Sequence, residues 1–240
     1  MSDPTTGQLS IVASPIGNLA DITLRALEVL KSADIIACED TRHSGVLLKH
    51  YGISARTVSL HEHNEARRSV ELVAAMQEGK SVALLSDAGL PAMSDPGQRL
   101  IQACLAAGIP HDVLPGPCAV VTALVGSGLP THPFHFGGFL PPKQGKREKE
   151  LTAALGREHT SVYFESPHKL LRTLTTLAEL DGSRIITVAR ELTKKFQEFR
   201  RGTGTEVAAH FEKHPPKGEI TLVISGSKLP RWVQGSETAE

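Results

Sequence analysis

Ser81-Val82-Ala83-Leu84-Leu85, running into Ser86-Asp87-Ala88-Gly89-Leu90-Pro91-Ala92-Met93-Ser94-Asp95-Pro96-Gly97, is the stretch on which the reading of this chain turns. The apolar run 81–85 has the length of a buried strand, and Gln98 to Ala107 carries apolar residues at helical spacing. A strand that opens into Gly, Pro and two Asp before a helix is a candidate ligand-binding loop. Glycine lets the backbone approach a ligand closely, proline holds the loop's shape, and the next helix offers N–H groups at its start. Ligands of open α/β sheets sit at such carboxyl ends of strands. Leu114-Pro115-Gly116-Pro117-Cys118-Ala119 repeats the pattern one unit later, which weakens the alternative of a plain connecting turn.

Working outward, strand and helix patterns alternate. Leu9 to Ala13, Asp34 to Cys38, Thr57 to Leu60, Ser81 to Leu85 and His111 to Leu114 read as strands. Between them lie a helix capped by Asp21 or Thr23, one through Leu47, Leu48 and Tyr51 ending at Gly52, Ala66 to Glu78 closed by Gly79, and Gln98 to Ala107. Such alternation predicts a mainly parallel sheet with helices on both faces. Gly126 to Pro133, with two Gly and two Pro, reads as a domain boundary. Beyond it, strands predicted at Phe134–Phe139, Val162–Glu165, Arg184–Ala189, Lys195–Arg201 and Glu219–Ile224 follow one another closely, with helices at Gly145–Leu155, His168–Leu180 and Val207–Phe211. That rhythm predicts a mixed sheet of α+β type. The expected organisation is an α/β domain over 8–127, a mixed-sheet domain over 133–226 and a polar tail over 227–240 that frays.

The composition excludes several classes. With 26 basic and 26 acidic residues in 240, the chain is no wholesale polyanion binder, so any nucleic-acid contact is local. Its three cysteines, Cys38, Cys104 and Cys118, form no C-x-x-C pair, which argues against a disulfide framework or structural zinc and suits a reducing cytoplasm. The polar start, Met1 to Gly7, is no signal peptide, and no apolar run reaches membrane-spanning length. The expected location is cytoplasmic, without a membrane partner. Walker, dinucleotide-binding and G-x-S-x-G signatures are all missing.

Other residues carry chemistry more ambiguously. Glu39-Asp40-Thr41-Arg42 ends a strand, where acids either bind a ligand hydroxyl or cap the next helix. His61-Glu62-His63 places two His on opposite sides of a strand end, which favours a polar loop over a metal site. Glu165-Ser166-Pro167, Ala189-Arg190-Glu191 and Gly218-Glu219-Ile220 put polar groups at strand ends of the second half, suited as a set to a cleft. Lys143 to Lys149 is a mixed-charge run, read either as a solvated helix face or as a phosphate-tracking patch; Lys194, Lys195, Arg200 and Arg201 form a second basic cluster. Few aromatics mean that base stacking is not the main binding mode.

Taken in order, SPIGNLADITLRA (14–26), EDTRHS (39–44), HEHNE (61–65), SDAGLPAMSDPG (86–97), LPGPCAVVTAL (114–124), GFLPPKQGKR (138–147), ESPHKL (165–170), ARELTKKFQE (189–198) and KGEITLVI (217–224) form a specific series. It resembles the bacterial small-subunit (16S) ribosomal RNA 2′-O-ribose methyltransferases of the tetrapyrrole methylase superfamily, over about residues 8–226. The porphyrin-modifying branch has G-x-G-P-G-D in its first loop, where this chain has Ser14-Pro15-Ile16-Gly17-Asn18-Leu19. The resemblance implies a two-domain fold holding S-adenosylmethionine (SAM) in the interdomain cleft, a homodimer, and a decoding-centre cytidine of 16S rRNA as acceptor. Carried over by position, the cofactor residues would be Asp87, Gly89, Leu90, Met93, Ser94, Asp95, Pro117 and Cys118, with Phe164, Ala189, Arg190, Glu219 and Ile220. Glu39, Asp40 and Glu165 are the unranked candidates for a general base. Ser14, Pro15, Gly17, Asn18, Arg42, His61, Asn64, Lys143, Lys146 and Arg147 would face the RNA. No metal is implied. The rival readings are a tetrapyrrole or protein methylase of the same fold and a non-catalytic RNA-binding assembly factor.

Overall fold

Residues 6–227 are described by a computed structural model of the chain, and they fall into two compact units that divide between Cys118 and Ala119. In the first, β1 (Leu9–Val12), β2 (Ile35–Cys38), β3 (Arg56–Ser59), β4 (Val82–Leu85) and β5 (His111–Leu114) form a sheet in the order β3-β2-β4-β1-β5. Every pairing is parallel. The central strands LSIV, IIAC and VALL are buried throughout because both faces are covered. Leu9, Ile11, Ala37 and Leu84 pack against Leu72 and Met76 of α3 (Glu65–Gln77) and Leu100 and Cys104 of α4 (Gln98–Ala106). The alternate residues Val12, Ile36, Cys38 and Leu85 meet Ala26 and Leu30 of α1 (Leu24–Ser32) and Leu47 and Leu48 of α2 (Thr41–His50).

Local chemistry sets the helix ends. Thr23, rather than Asp21, caps α1, its side chain accepting from the Ala26 amide at 3.1 Å; Asp21 belongs to a 3-10 turn at Leu19–Asp21. After α2 the chain turns at Gly52 with φ +63°, the left-handed stop expected of that residue. The helix after β1 and the helix after β4 lie on opposite faces of the sheet, although these strands are neighbours. Their connections therefore leave in opposite directions, which makes their carboxyl ends a topological switch point.

In the second unit, β6 (Phe134–Phe139), β7 (Thr160–Glu165), β8 (Ile185–Arg190), β9 (Glu198–Thr203) and β10 (Ile220–Ile224) form a mixed sheet in the order β6-β7-β10-β8-β9. Only β6 and β7 run parallel. One face carries Tyr163, Ile186, Val188, Leu222 and Ile224 against α6 (Gln144–Gly156), α7 (Pro167–Asp181) and α8 (Gly204–Lys213). The other face is covered by α5 (Ala119–Ser127), which packs on β7, β8, β9 and β10.

Two expectations shift here. The boundary expected at 127–133 lies inside the second unit, because α5 belongs to the mixed sheet. Arg201 ties it there, donating Nε to the Ser127 carbonyl at 3.1 Å and Nη2 to the Gly126 carbonyl. The strand expected at Lys195–Arg201 begins instead at Glu198, since 191–197 is a loop held by Lys194, which bridges Glu191 at 2.9 Å and Glu219 at 3.1 Å. Lys194 and Arg201, two of the four residues in the second basic cluster, are thus engaged within the fold. The tail expected over 227–240 lies, from residue 228 on, outside the described residues. Among the described residues no helix is long and apolar enough to cross a membrane.

Candidate active site

At the switch point the loops after β1 and β4 are joined. Ser14 and Gly89 form an antiparallel bridge, Ser14 N donating to Gly89 O at 2.8 Å and Gly89 N to Ser14 O at 3.1 Å. The buried Ser14 hydroxyl donates to Ser86 O at 2.9 Å, and Ser86 Oγ donates to Gly89 O at 3.0 Å. The loop after β5 joins them: a Cβ on Gly116 would stand 2.7 Å from that of Ala13, and one on Gly89 would stand 3.6 Å from the Pro117 carbonyl oxygen. The sequence-predicted residues Asp87, Gly89, Leu90, Met93, Ser94, Asp95, Pro117 and Cys118 thus share one end of one sheet. Ala92 and Ser94 hold positive φ, 66° and 78°, without being glycine, and such backbone strain persists only where neighbours over-determine it.

Half-buried Leu90 and exposed Met93 give this loop pair apolar surface, and Asp87 and Asp95 give it carboxylates. No Lys or Arg occurs in 86–97 or 114–118. That donor set fits a cationic ligand with an apolar ring, as SAM is.

The three candidate bases separate. Asp40 caps α2 through Arg42 N at 2.8 Å and chelates the Arg42 side chain at 3.0 and 2.6 Å, which holds its carboxyl well below the usual range. Glu165 is 3% exposed, and its oxygens accept from Ser166 N at 2.7 Å and Thr173 Oγ1 at 2.6 Å, so it secures the start of α7. Glu39 is different: it accepts no hydrogen bond among the described residues. Burial, then the charges of Asp87 and Asp40, push its pKa up, with His61 and His43 opposing. Cys38 and Cys104 are buried, and burial raises both thiols, Cys104 to about 11, which leaves them inert as nucleophiles.

Of the RNA-facing set, Gly17, Asn18, Arg42, Lys143 and Lys146 are exposed, while Ser14, Pro15 and Arg147 are buried. Asn18 caps the 3-10 turn through Ala20 N at 3.1 Å. Asn64 accepts from His61 N at 2.9 Å and places its amide nitrogen 3.1 Å from His61 Nε2, fixing the ring. In the second unit, Phe164, Ala189, Arg190, Glu219 and Ile220 come together at one end of three adjacent strands. Phe164 and Ala189 both pair with Thr221 and share the α5 face; Arg190 and Ile220 face the other way. The Arg190 guanidinium is held by Glu198 at 2.9 and 3.0 Å.

Glu65 was missed by sequence reasoning. It is buried, and its Oε1 accepts from Gly97 N at 2.8 Å and Arg99 N at 2.9 Å, so it takes up two of the amides at the start of α4. The HEHNE motif contained it, but nothing local points to a helix some thirty residues on. Glu65→Ala strands two donors and is expected to destabilise the first unit by about 1–3 kcal/mol. The urea midpoint should fall at unchanged slope; an unmoved midpoint would remove the capping role.

Residues 8–208 match the family model described as Tetrapyrrole (Corrin/Porphyrin) Methylases. The chain is 47% identical over 230 residues to "Ribosomal RNA small subunit methyltransferase I" of Escherichia coli O157:H7, covering 95% of this chain and 80% of that protein. It is 47% identical over 223 residues to the protein of the same name from Thermotoga maritima, covering 92% and 100%. Among solved structures, a uroporphyrin-III-C-methyltransferase from Thermus thermophilus matches with a TM-score of 0.64 at 25% identity, covering 91% of this chain and 94% of the other.

Proposed function

The chain belongs to the tetrapyrrole (corrin/porphyrin) methylases, and from that premise we propose that it methylates small-subunit ribosomal RNA on the 2′-oxygen of a cytidine ribose. The observation that carries this reading is the likeness to the named ribosomal RNA methyltransferases, which runs through both units at nearly half identity. The porphyrin-methylating structure is about half as similar in sequence.

The methyl donor is SAM, which supplies an activated methyl group on a sulfonium. Asp87, Gly89, Leu90, Met93, Ser94, Asp95, Pro117 and Cys118 of the first unit, and Phe164, Ala189, Arg190, Glu219 and Ile220 of the second, are the residues assigned to it. Apolar Leu90, Met93 and Phe164 suit an adenine ring, and the acidic loop suits the donor's ammonium group. Arg190 and Ile220 contribute through backbone, since their side chains face the α6–α8 side.

Glu39 is the base: its carboxylate takes the proton of the attacking 2′-hydroxyl. Orientation supplies much of the acceleration, because the transferred group is already activated. His61, fixed by Asn64, lies close enough to Glu39 to act on its charge. Gly17, Asn18, Arg42, Lys143 and Lys146 meet the RNA. The assigned residues fall in both units: Glu39 and eight donor residues in the first, and five donor residues with Lys143 and Lys146 in the second. The acceptor is the rRNA within the small subunit, the working form a homodimer and the location cytoplasmic.

Methyl transfer from radiolabelled SAM to small subunits lacking their native modifications, followed by digestion and nucleoside mass spectrometry, tests the whole reading. Label on 2′-O-methylcytidine is expected. SAM binding without label on RNA, and label on a porphyrinogen instead, would overturn it.

A further inference from the structure

The first turn of α6 carries charge in an unusual place. A helix N-terminus favours acids, yet this turn has none, and Lys143, Lys146 and Arg147 stand there instead. Lys143 occupies the capping position without making a side-chain cap, so the amides of Gln144, Gly145 and Lys146 have no side-chain partner there. Residues 142–146 are all exposed, and beyond the helix's own backbone and the adjacent residues no atom lies within 4 Å of where a Cβ on Gly145 would stand, so a ligand can approach the turn.

Arg147 is the exception, at 5% exposed. Its side chain reaches back over the start of the helix, and Nη1 donates to the Pro142 carbonyl at a long 3.3 Å. Nε is buried without any partner. No ion pair to Arg147 is present among the described residues, and Glu150, three residues on, is taken by Arg157 at 3.2 Å and by the Tyr163 hydroxyl at 2.6 Å. A buried guanidinium without counter-charge is expensive, and it persists where an anion arrives to complete it.

We propose that the first turn of α6, backed by Arg147, binds one backbone phosphate of the RNA substrate, with Lys143 and Lys146 meeting the phosphates on either side of it. The proposal rests on the ribosomal RNA reading above and deepens it. Open amides and a planar guanidinium together match the several oxygens of a phosphodiester. Two exposed lysines beside the buried arginine suit a chain of phosphates better than a single free ion.

The test measures binding to small ribosomal subunits over a range of KCl concentrations for three variants. R147Q removes the charge and keeps a donor toward Pro142; R147K keeps the charge; K143Q/K146Q leaves the buried residue untouched. R147Q should lower affinity about tenfold at low salt and reduce the slope of log K against log salt by about 0.7–0.9, the value for one phosphate contact. The double lysine variant should reduce the slope by roughly twice that, R147K should preserve it, and SAM affinity should stay unchanged in all three. Unchanged slopes in both R147Q and K143Q/K146Q, with the wild type still methylating subunits, would overturn the phosphate site. Arg147-dependent binding of inorganic phosphate with no effect on subunits would overturn the RNA assignment in favour of a free ion. A wild type that neither binds nor methylates subunits would instead fell the ribosomal RNA reading, and this site with it.

Discussion

Glu39→Gln is expected to lower kcat for RNA methylation by about 10²–10⁴-fold, the usual contribution of a positioned general base. The isosteric amide keeps the shape of the strand end and loses only the proton acceptor. Burial and the charges of Asp87 and Asp40 raise the Glu39 pKa above its usual 4.5, which makes the carboxylate a stronger base near neutral pH. Wild-type activity should therefore rise with pH through the folded pKa of Glu39, and that limb should vanish in the variant. Stability should move the opposite way. A carboxyl whose folded pKa is raised contributes stability below its unfolded pKa and loses it as pH climbs through the folded value. At neutral pH the variant should thus have the higher Tm. Single-turnover methylation and thermal melts check both signs; full activity in Glu39→Gln would return the choice of base to residues whose oxygens are already engaged.

Gly97→Val is expected to destabilise the first unit by about 3–5 kcal/mol, a large part of a typical domain's stability. Gly97 sits at φ +130°, outside what a β-branched residue adopts, and an added Cβ would lie 2.7 Å from Leu84 Cδ2. Leu84 cannot yield easily, being 1% exposed in the middle of the central strand. Backbone strain and overpacking each contribute about 1–3 kcal/mol. Gly97→Ala should fall between wild type and Gly97→Val in urea midpoint. Equal midpoints for all three would mean that the loop relaxes around the side chain.

Much of this fold was legible because its signals are local. Apolar runs of four or five residues, helices stopped at Gly52 and Gly79, and the Gly/Pro loops at 86–97 and 114–118 each speak through neighbouring residues. What escaped depends on residues far apart in the chain. The helix α5 is apolar nearly all round, with Val121 and Val125 exposed, so its own pattern does not say which sheet it covers. Arg201 decides that from some seventy residues away. The start of β9 was set three residues early because the bridging of Lys194 to Glu219 is tertiary.

The candidate site shows the same division. The Gly/Pro loops at 86–97 and 114–118 were legible as loops, whereas the ranking of the candidate bases was not. Glu39, Asp40 and Glu165 are alike in sequence, each an acid at a strand end. Only the placement of Arg42, Ser166 and Thr173 leaves one of them without a hydrogen-bond donor. Arg147 looked like its exposed neighbours Lys143 and Lys146, and the helical turn that buries it follows from the position of α6 against its sheet.

The backbone pairing of Ser14 with Gly89 has a thermodynamic consequence. Loop 14–18, assigned above to the RNA, and loop 87–95, assigned above to the donor, share these hydrogen bonds, so restraint of one is passed to the other. A ligand that quiets one loop spares its successor part of the entropy loss, so the two binding events are expected to be positively cooperative. By reciprocity, the factor by which donor tightens RNA equals the factor by which RNA tightens donor. The enzyme would then hold its methyl donor most firmly when the acceptor is already in place.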